Sequence, residues 1–273
     1  MRINTNLNAM TALNQSTKNT ALAGNSMGKI SSGLRINKAG DDAAGLAISE
    51  KMRSQIRGME QADKNVQDGI SMVQTQEGAL EEAGNIAQRM RELAVQGGNE
   101  TLSSDDKAKI NKELKDLSDE ITQISKETKF NGVAILDGKK ASTTIQAGAT
   151  DETRVITNVN LSIAASSLAT AVAATITNNT TAQNMIDAID VTLASINTGR
   201  ANMGAMQNRL EATSSNLTTS TENLSAAESR IRDVDVAKEM VTLSKLNLLS
   251  QASQAMTMQA KSQPQGVLQL LQS

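Results

Sequence analysis

Seven-residue periodicity is the feature that most limits what this chain can become. Ile48 opens a series in which Met52, Met59, Val66, Val73, Leu80, Ala87 and Ala94 recur at sevens, and Ile56, Ile70 and Met90 fill the same face. Such spacing keeps one apolar stripe on an α-helix, whereas a strand would throw successive members to opposite faces. Asp41 or Asp42 can accept the first free N–H groups, and Gly97-Gly98 stops the helix. At ~1.5 Å per residue the segment from about Ala43 to Gln96 runs roughly 80 Å. A globule of this chain length has a radius of gyration of only about 18 to 19 Å, so the spacing predicts a rod.

Two more helices share the pattern. Ser103 or Ser104 caps the second, with Asp105 and Asp106 in its first turn; Ile110, Leu114, Leu117, Ile121 and Ile124 alternate three and four apart, and it ends near Phe130-Asn131-Gly132. The third, from about Ala182 to Val234, carries Ile189, Leu193, Ile196, Met203, Leu210, Leu217, Leu224 and Ile231. Three such seams pack as a bundle. Between them the period changes to two. Val133 to Leu136, the turn Asp137-Gly138, then Thr143, Ile145 and Ala147, and Val155, Thr157, Val159 and Leu161 read as short strands with hairpin turns. Ala164 to Thr181, rich in Ala, Ser and Thr, reads as a small surface segment with no assigned element.

The ends differ from the bundle. Ile3, Leu7, Met10, Leu13, Ala21, Leu22, Met27, Ile30 and Leu34 make an amphipathic N-terminal helix. At the other end Val234, Ala237, Val241, Leu248, Ala252 and Ala255 form one stripe, and Met240, Leu243, Leu246, Leu249, Met256 and Ala260 form another beside it. A helix apolar on two sides is not satisfied by one partner. It is expected to pair with the N-terminal helix and then with further copies, both ends being disordered in the free chain and folding on assembly. Head-to-tail contacts whose rotation does not close give an open helical filament.

Composition removes other functions. The 273 residues include no His, Cys, Trp or Tyr, one Phe (Phe130) and one Pro (Pro264). Imidazole-based nucleophilic catalysis and structural zinc sites therefore cannot be built. With 27 Lys+Arg against 29 Asp+Glu and no stacking platform, nucleic-acid binding is not expected. No cofactor is expected. The polar start Met-Arg-Ile-Asn-Thr-Asn lacks the apolar core of a secretory leader, and no apolar run approaches the ~18 residues of a membrane span. The chain is expected to be soluble, or exported without a cleaved signal, and not inserted in a membrane.

Several blocks are similar to bacterial flagellin: Ser31-Ser32-Gly33-Leu34-Arg35-Ile36-Asn37-Lys38-Ala39-Gly40-Asp41-Asp42-Ala43-Ala44-Gly45-Leu46-Ala47-Ile48, Gln88 to Gln96, Phe130-Asn131-Gly132, Gln207-Asn208-Arg209-Leu210, Ala226 to Asp235, Leu249 to Met256, and the ending Pro264 to Leu271. The resemblance covers roughly residues 1 to 138 and 182 to 273. It implies a mainly α subunit of the flagellar filament, used in swimming motility and located outside the cell: an elongated rod of long antiparallel helices, a three-helix bundle with a β-hairpin, plus paired terminal coiled-coil helices. It also implies the divisions 1–42 (inner helix and spoke), 43–138 (first part of the rod domain), 139–181 (short variable segment), 182–234 (last rod helix) and 235–273 (inner C-terminal helix), with no large outer domain.

By the same resemblance, Arg35, Asn37, Lys38, Asp41 and Asp42 make spoke or hinge contacts. Inner-tube polymerisation falls to Ile3, Leu7, Met10, Val241, Leu248, Leu249, Met256, Leu268, Leu270 and Leu271. Asp41 and Asp42 are also expected as helix caps and as partners of Arg35 or Lys38. Arg89, Leu93 and Glu113 match positions that take part in inter-subunit packing and in recognition by Toll-like receptor 5. The implied partners are further copies of the chain, a flagellar chaperone and the type III export apparatus that passes the unfolded chain, and the hook-associated and cap proteins. The hook-filament junction protein shares the terminal helices and is the near alternative; a membrane-active secreted translocator is the alternative of another class.

Overall fold

The computed structural model describes residues 6–272, with side chains as far as Gln263. Among the described residues there are six helices and two small antiparallel sheets: α1 (Leu7–Ser32), α2 (Ala43–Gly97), α3 (Ser104–Glu127), β1 (Lys129–Phe130), β2 (Val133–Ala134), β3 (Ser142–Gln146), β4 (Thr153–Thr157), α4 (Leu161–Ala173), α5 (Asn179–Arg232) and α6 (Val236–Gln272). The mainly α class is as expected. Two compact units divide the chain, one of residues 55–222 and one of residues 1–54 with 223–273. The divisions fall inside α2 and α5.

In the first unit α2, α3 and α5 share one core. The heptad members Val66, Val73, Leu80, Ala87 and Ala94 are buried, as are Ile110, Leu114 and Ile121 on α3 and Ile189, Ile196, Met203 and Leu210 on α5. The helices run antiparallel, since Arg91 pairs with Asp190 at 2.8 Å while Asp63, farther back on α2, bonds Ser214. Ser103 caps α3 by accepting from the Asp106 N–H at 3.2 Å.

The middle of the chain departs from the expected pattern. Only Val133 and Ala134 of the predicted strand pair, with Phe130 and Lys129, across a two-residue turn in which Asn131 and Gly132 both take positive φ (48° and 78°). Ile135 and Leu136 instead enter the core. The second hairpin, β3 with β4, ends at Thr157, and Leu161 opens a helix instead of continuing the strand. This hairpin lies on α2 over two glycines: a Cβ on Gly69 would run into Ile145, and one on Gly58 would meet Ala149 Cβ at 2.9 Å.

The segment read as structureless surface is α4. Asn160 caps it through the Ile163 N–H at 3.3 Å, and Leu161, Ala165, Leu168 and Val172 are buried in the shared core on its one apolar face. Small side chains let α4 approach α3 closely. Beyond it, Asn111 of α3 clamps the backbone of Ile176, accepting from its N–H at 2.8 Å and donating to its carbonyl at 3.2 Å. That clamp stabilises a link in which Thr175 sits at φ 39°, an uncommon conformation for a residue with a branched side chain.

The second unit is built on the antiparallel pair α1 and α6. The covered positions of α1 are Ala9, Ala12, Ser16, Asn19, Ala23, Ser26 and Ile30, spaced alternately three and four apart. Those of α6 are Leu243, Leu246, Ser250, Ser253, Thr257 and Ala260. Asn6 Nδ2 donates to the Ala260 carbonyl at 2.6 Å, and the hydroxyls of Thr20 and Ser250 lie 3.3 Å apart across the pair. Except at one end, the seam is therefore made of small and polar side chains.

Candidate assembly interface

Because the seam takes mostly small residues, most of the large apolar ones face away from it. On α1 Leu7, Met10, Leu13, Leu22 and Met27 are each more than half exposed. On α6 Val241, Leu248, Met256 and Met258 range from 64% to 71% exposed, with Val236, Met240 and Leu249 above 40%. Met240, Val241, Leu248 and Leu249, with Ser244 and Lys245, line an open groove along α6. The stripes expected on α6 are redistributed. Leu243 and Leu246 belong to the seam with Ser250 and Ser253, whereas Met240, Leu249 and Met256, assigned to the same stripe, point outward with Val241 and Leu248. The physical reason is size: Ala, Ser and Thr allow a closer backbone approach than a row of Leu and Met. Apolar patches of this extent mark interaction surfaces in soluble proteins. Ile3, Leu268, Leu270 and Leu271 lie outside the residues whose side chains are described.

Of the expected hinge residues, Arg35 bonds the end of α5, while Asn37, Lys38, Asp41 and Asp42 hold the turn between α1 and α2. Gly33 closes α1 in the left-handed region, at φ 71°. Leu34 then pairs as a β-bridge with Asp233, and the Val234 N–H donates to the Gly33 carbonyl at 3.0 Å. Arg35 satisfies two of the last carbonyls of α5: its backbone N–H donates to Arg232 O and its guanidinium Nη2 to Ile231 O, both at 2.6 Å. Asn37 Nδ2 donates to Ser32 Oγ at 2.7 Å and to Gly28 O at 3.3 Å.

Asp41 does not pair with the Arg35 side chain. Its Oδ2 accepts the backbone N–H groups of Asn37 (3.1 Å) and Lys38 (3.0 Å), which closes the turn. Those bonds, the one from Lys38 first, hold its carboxyl below the usual range. Asp42 is the cap of α2, accepting from the Gly45 N–H at 2.9 Å. Composition did not point to Arg232, which is almost buried and donates to Glu50 of α2. Its place in the block Ser229-Arg230-Ile231-Arg232-Asp233, where the helix pattern runs out, was the available signal.

On the bundle, Arg89 of α2 donates to Glu113 of α3 and to Glu92, both at 3.1 Å. All three side chains are about half exposed or more. Leu93 is corrected: it is 2% exposed and belongs to the core, so it supports this surface from beneath and presents no side chain to a partner. Among the described residues no cluster of three carboxylates could hold a metal ion, and no helix is long and apolar enough to cross a membrane.

A helical chain whose ends pair through small residues and turn their large apolar residues outward is a self-associating structural subunit. Comparison with known proteins makes the class specific. The bacterial flagellin N-terminal helical region matches residues 3–141 and the bacterial flagellin C-terminal helical region matches residues 186–271. The flagellin of Halalkalibacterium halodurans is 54% identical over 99% of this chain and all of its own length, and that of Bacillus subtilis is 47% identical over the same shares. The flagellar filament 31.3 kDa core protein of Treponema maltophilum is 42% identical over the full length of both. The crystal structure of Bacillus cereus flagellin superposes with a TM-score of 0.51 at 31% identity, covering 60% of this chain and 94% of that one. A putative flagellar hook-associated protein from Vibrio parahaemolyticus, at 15% identity and a TM-score of 0.63, covers 71% of this chain and all of its own; it shares the fold alone. This chain belongs to the bacterial flagellin family. It is a structural subunit of the flagellar filament, not an enzyme, and it carries no large outer domain.

Proposed function

We propose that copies of this chain polymerise through the outward apolar faces of α1 and α6, with Leu7, Met10, Val241, Leu248, Leu249 and Met256 as the buried contacts of an inner tube and Ile3, Leu268, Leu270 and Leu271 extending it. The inversion of the α1–α6 pair carries this reading. The twelve large apolar side chains that these two helices leave exposed are unfavourable in water at roughly 25 cal/mol per Å² of apolar surface, and covering them by the next copy removes that penalty. The cluster of Arg35, Asn37, Lys38, Asp41 and Asp42 fixes the direction in which α1 and α6 leave the junction, so each copy offers its faces at the same angle.

The subunit passes unfolded through the flagellar type III apparatus after a chaperone has held α6, and meets the hook-associated and cap proteins at the growing end. A chain without Cys and with one Pro suits that route, since it neither cross-links nor waits on many X-Pro isomerisations. The Arg89–Glu113 surface serves lateral packing and is also what Toll-like receptor 5 reads.

Elongation of short filament seeds by the full chain tests the assembly reading. Leu7→Asp combined with Leu248→Asp is expected to keep the helical circular dichroism of the wild type and to abolish elongation; normal elongation would refute it. Exchanging the charges, Arg89→Glu with Glu113→Arg, preserves the internal pair. Reduced receptor signalling by that variant supports direct reading of these side chains, and undiminished signalling argues against it.

A further inference from the structure

The thirteen methionines are not spread evenly between inside and outside. Met72, Met90, Met185 and Met203 are buried at 5% exposure or less, and Met52, Met59 and Met206 are half-buried. Met10, Met27, Met240, Met256 and Met258 are between 47% and 68% exposed. All five of these lie on α1 and α6, and they stand among the leucines and valines that face away from the seam. With no cysteine in the chain, their thioethers are the exposed sulfur nucleophiles of the described residues.

We propose that Met10, Met27, Met240, Met256 and Met258 are a reversible oxidation site that controls whether the unassembled subunit can join a filament. The inference rests on the assembly reading above. The oxidant is hydrogen peroxide: the thioether sulfur attacks one oxygen, the O–O bond breaks, sulfur is oxidised by two electrons, and the proton on the transferred oxygen passes to the departing hydroxide, leaving the sulfoxide and water. The product is a polar, chiral side chain in place of a flexible apolar one. Five such groups on the contact faces would have to be stripped of water at every new contact, so a sulfoxidised copy is excluded. The buried methionines are screened from the same dose, so the fold of the bundle survives. Once a copy is incorporated its five thioethers are covered, which confines the sensitivity to the stage before assembly. Reductases specific for the two sulfoxide epimers reverse the change.

The test exposes the full unassembled chain to hydrogen peroxide, maps sulfoxides by peptide mass, and follows elongation of seeds. Sulfoxide is expected at the five exposed positions and not at Met72, Met90, Met185 or Met203, with at least a tenfold fall in elongation rate that the reductase pair restores. Grown filaments given the same dose should keep the five residues unmodified. A chain carrying Leu at all five positions should elongate and resist peroxide. If untreated wild-type chain does not elongate, the assembly reading falls and this inference with it. If untreated chain elongates and sulfoxidised chain elongates equally, or if the loss is not restored by the reductases, this inference alone falls.

Discussion

Asn19 Nδ2 donates to Ser253 Oγ at 3.3 Å across the α1–α6 seam. The amide is 3% exposed, sits between the buried hydroxyls of Ser16 and Ser26, and also accepts from Gln15. A sliding of one helix on the other would leave it without its cross-helix partner, and a buried polar group left unpaired is disfavoured. A pair of helices with little apolar surface between them thus has its register set by a side-chain amide.

Asn19→Ala should destabilise the pair modestly, by about 1 kcal/mol, because Ser253 keeps its own bond to the Leu249 carbonyl. Asn19→Leu adds apolar surface and should nevertheless be worse, by about 1–3 kcal/mol, because the larger side chain wedges a close seam apart. Amide exchange along α1 and α6 gives the order. A more stable leucine variant would show that the seam lacks apolar content, not space.

Leu80 is fully buried in the bundle, whereas Val191 on α5 is 66% exposed. Leu80→Ala should lower the unfolding free energy by about 2–5 kcal/mol, and Val191→Ala should change it by less than about 0.5 kcal/mol. Denaturant titrations of the two variants make the comparison within one unit of the protein.

The turn from Asn37 to Asp41 should be acid-sensitive. A carboxyl whose folded-state value is lowered adds stability that is fully present above its unfolded value of about 3.9 and is lost as pH falls through the folded value. Asp41 is held down by the Lys38 and Asn37 amides; Asp106 is held down first by the Ser103 hydroxyl and then by Lys109. Exchange of the Asn37 and Lys38 amides should accelerate below about pH 4 beyond its intrinsic rate, and Asp41→Asn should remove the pH dependence.

Asn111→Ala takes away both arms of the clamp on Ile176 and leaves its partly buried N–H unpaired. The expected loss is about 1–3 kcal/mol, concentrated in faster exchange over residues 174–178. Uniform loss across α3 and α5 would mean that the clamp acts on the whole bundle.

Where apolar side chains mark the core, the fold was legible. The heptads of α2 and the seams of α3 and α5 named the buried residues because Val66, Leu80, Leu114 or Ile196 has no other reason to recur at that spacing. Small residues hid the rest. The spacing of Leu161, Ala165, Leu168 and Val172 behind Asn160 is helical, yet Ala, Ser and Thr dominate the segment and suppress the signal. On α6 hydrophobicity misdirects, since Ser250, Ser253 and Thr257 face the partner while Leu248 and Met256 do not. The carbonyl that the Arg35 guanidinium binds comes from a segment almost two hundred residues away, and local pattern carries no trace of it. Leu93 entered through the family resemblance, which matches residue type and spacing and carries no information on burial, and it lies in the core.

An α-helix turns once in 3.6 residues, so a seam that recurs every seven drifts about 20° per heptad. From Ala9 through Ser16 and Ala23 to Ile30 the seam of α1 spans three heptads, a drift of about 60°. Keeping it against α6 requires the two helices to wind with a left-handed sense, and the outward row of Leu7, Met10, Leu13 and Met27 winds with them. A neighbour laid on that row follows a slanted track, so the pitch of the pair, set by a seam of mostly small and polar residues, governs the angle at which the next copy is received.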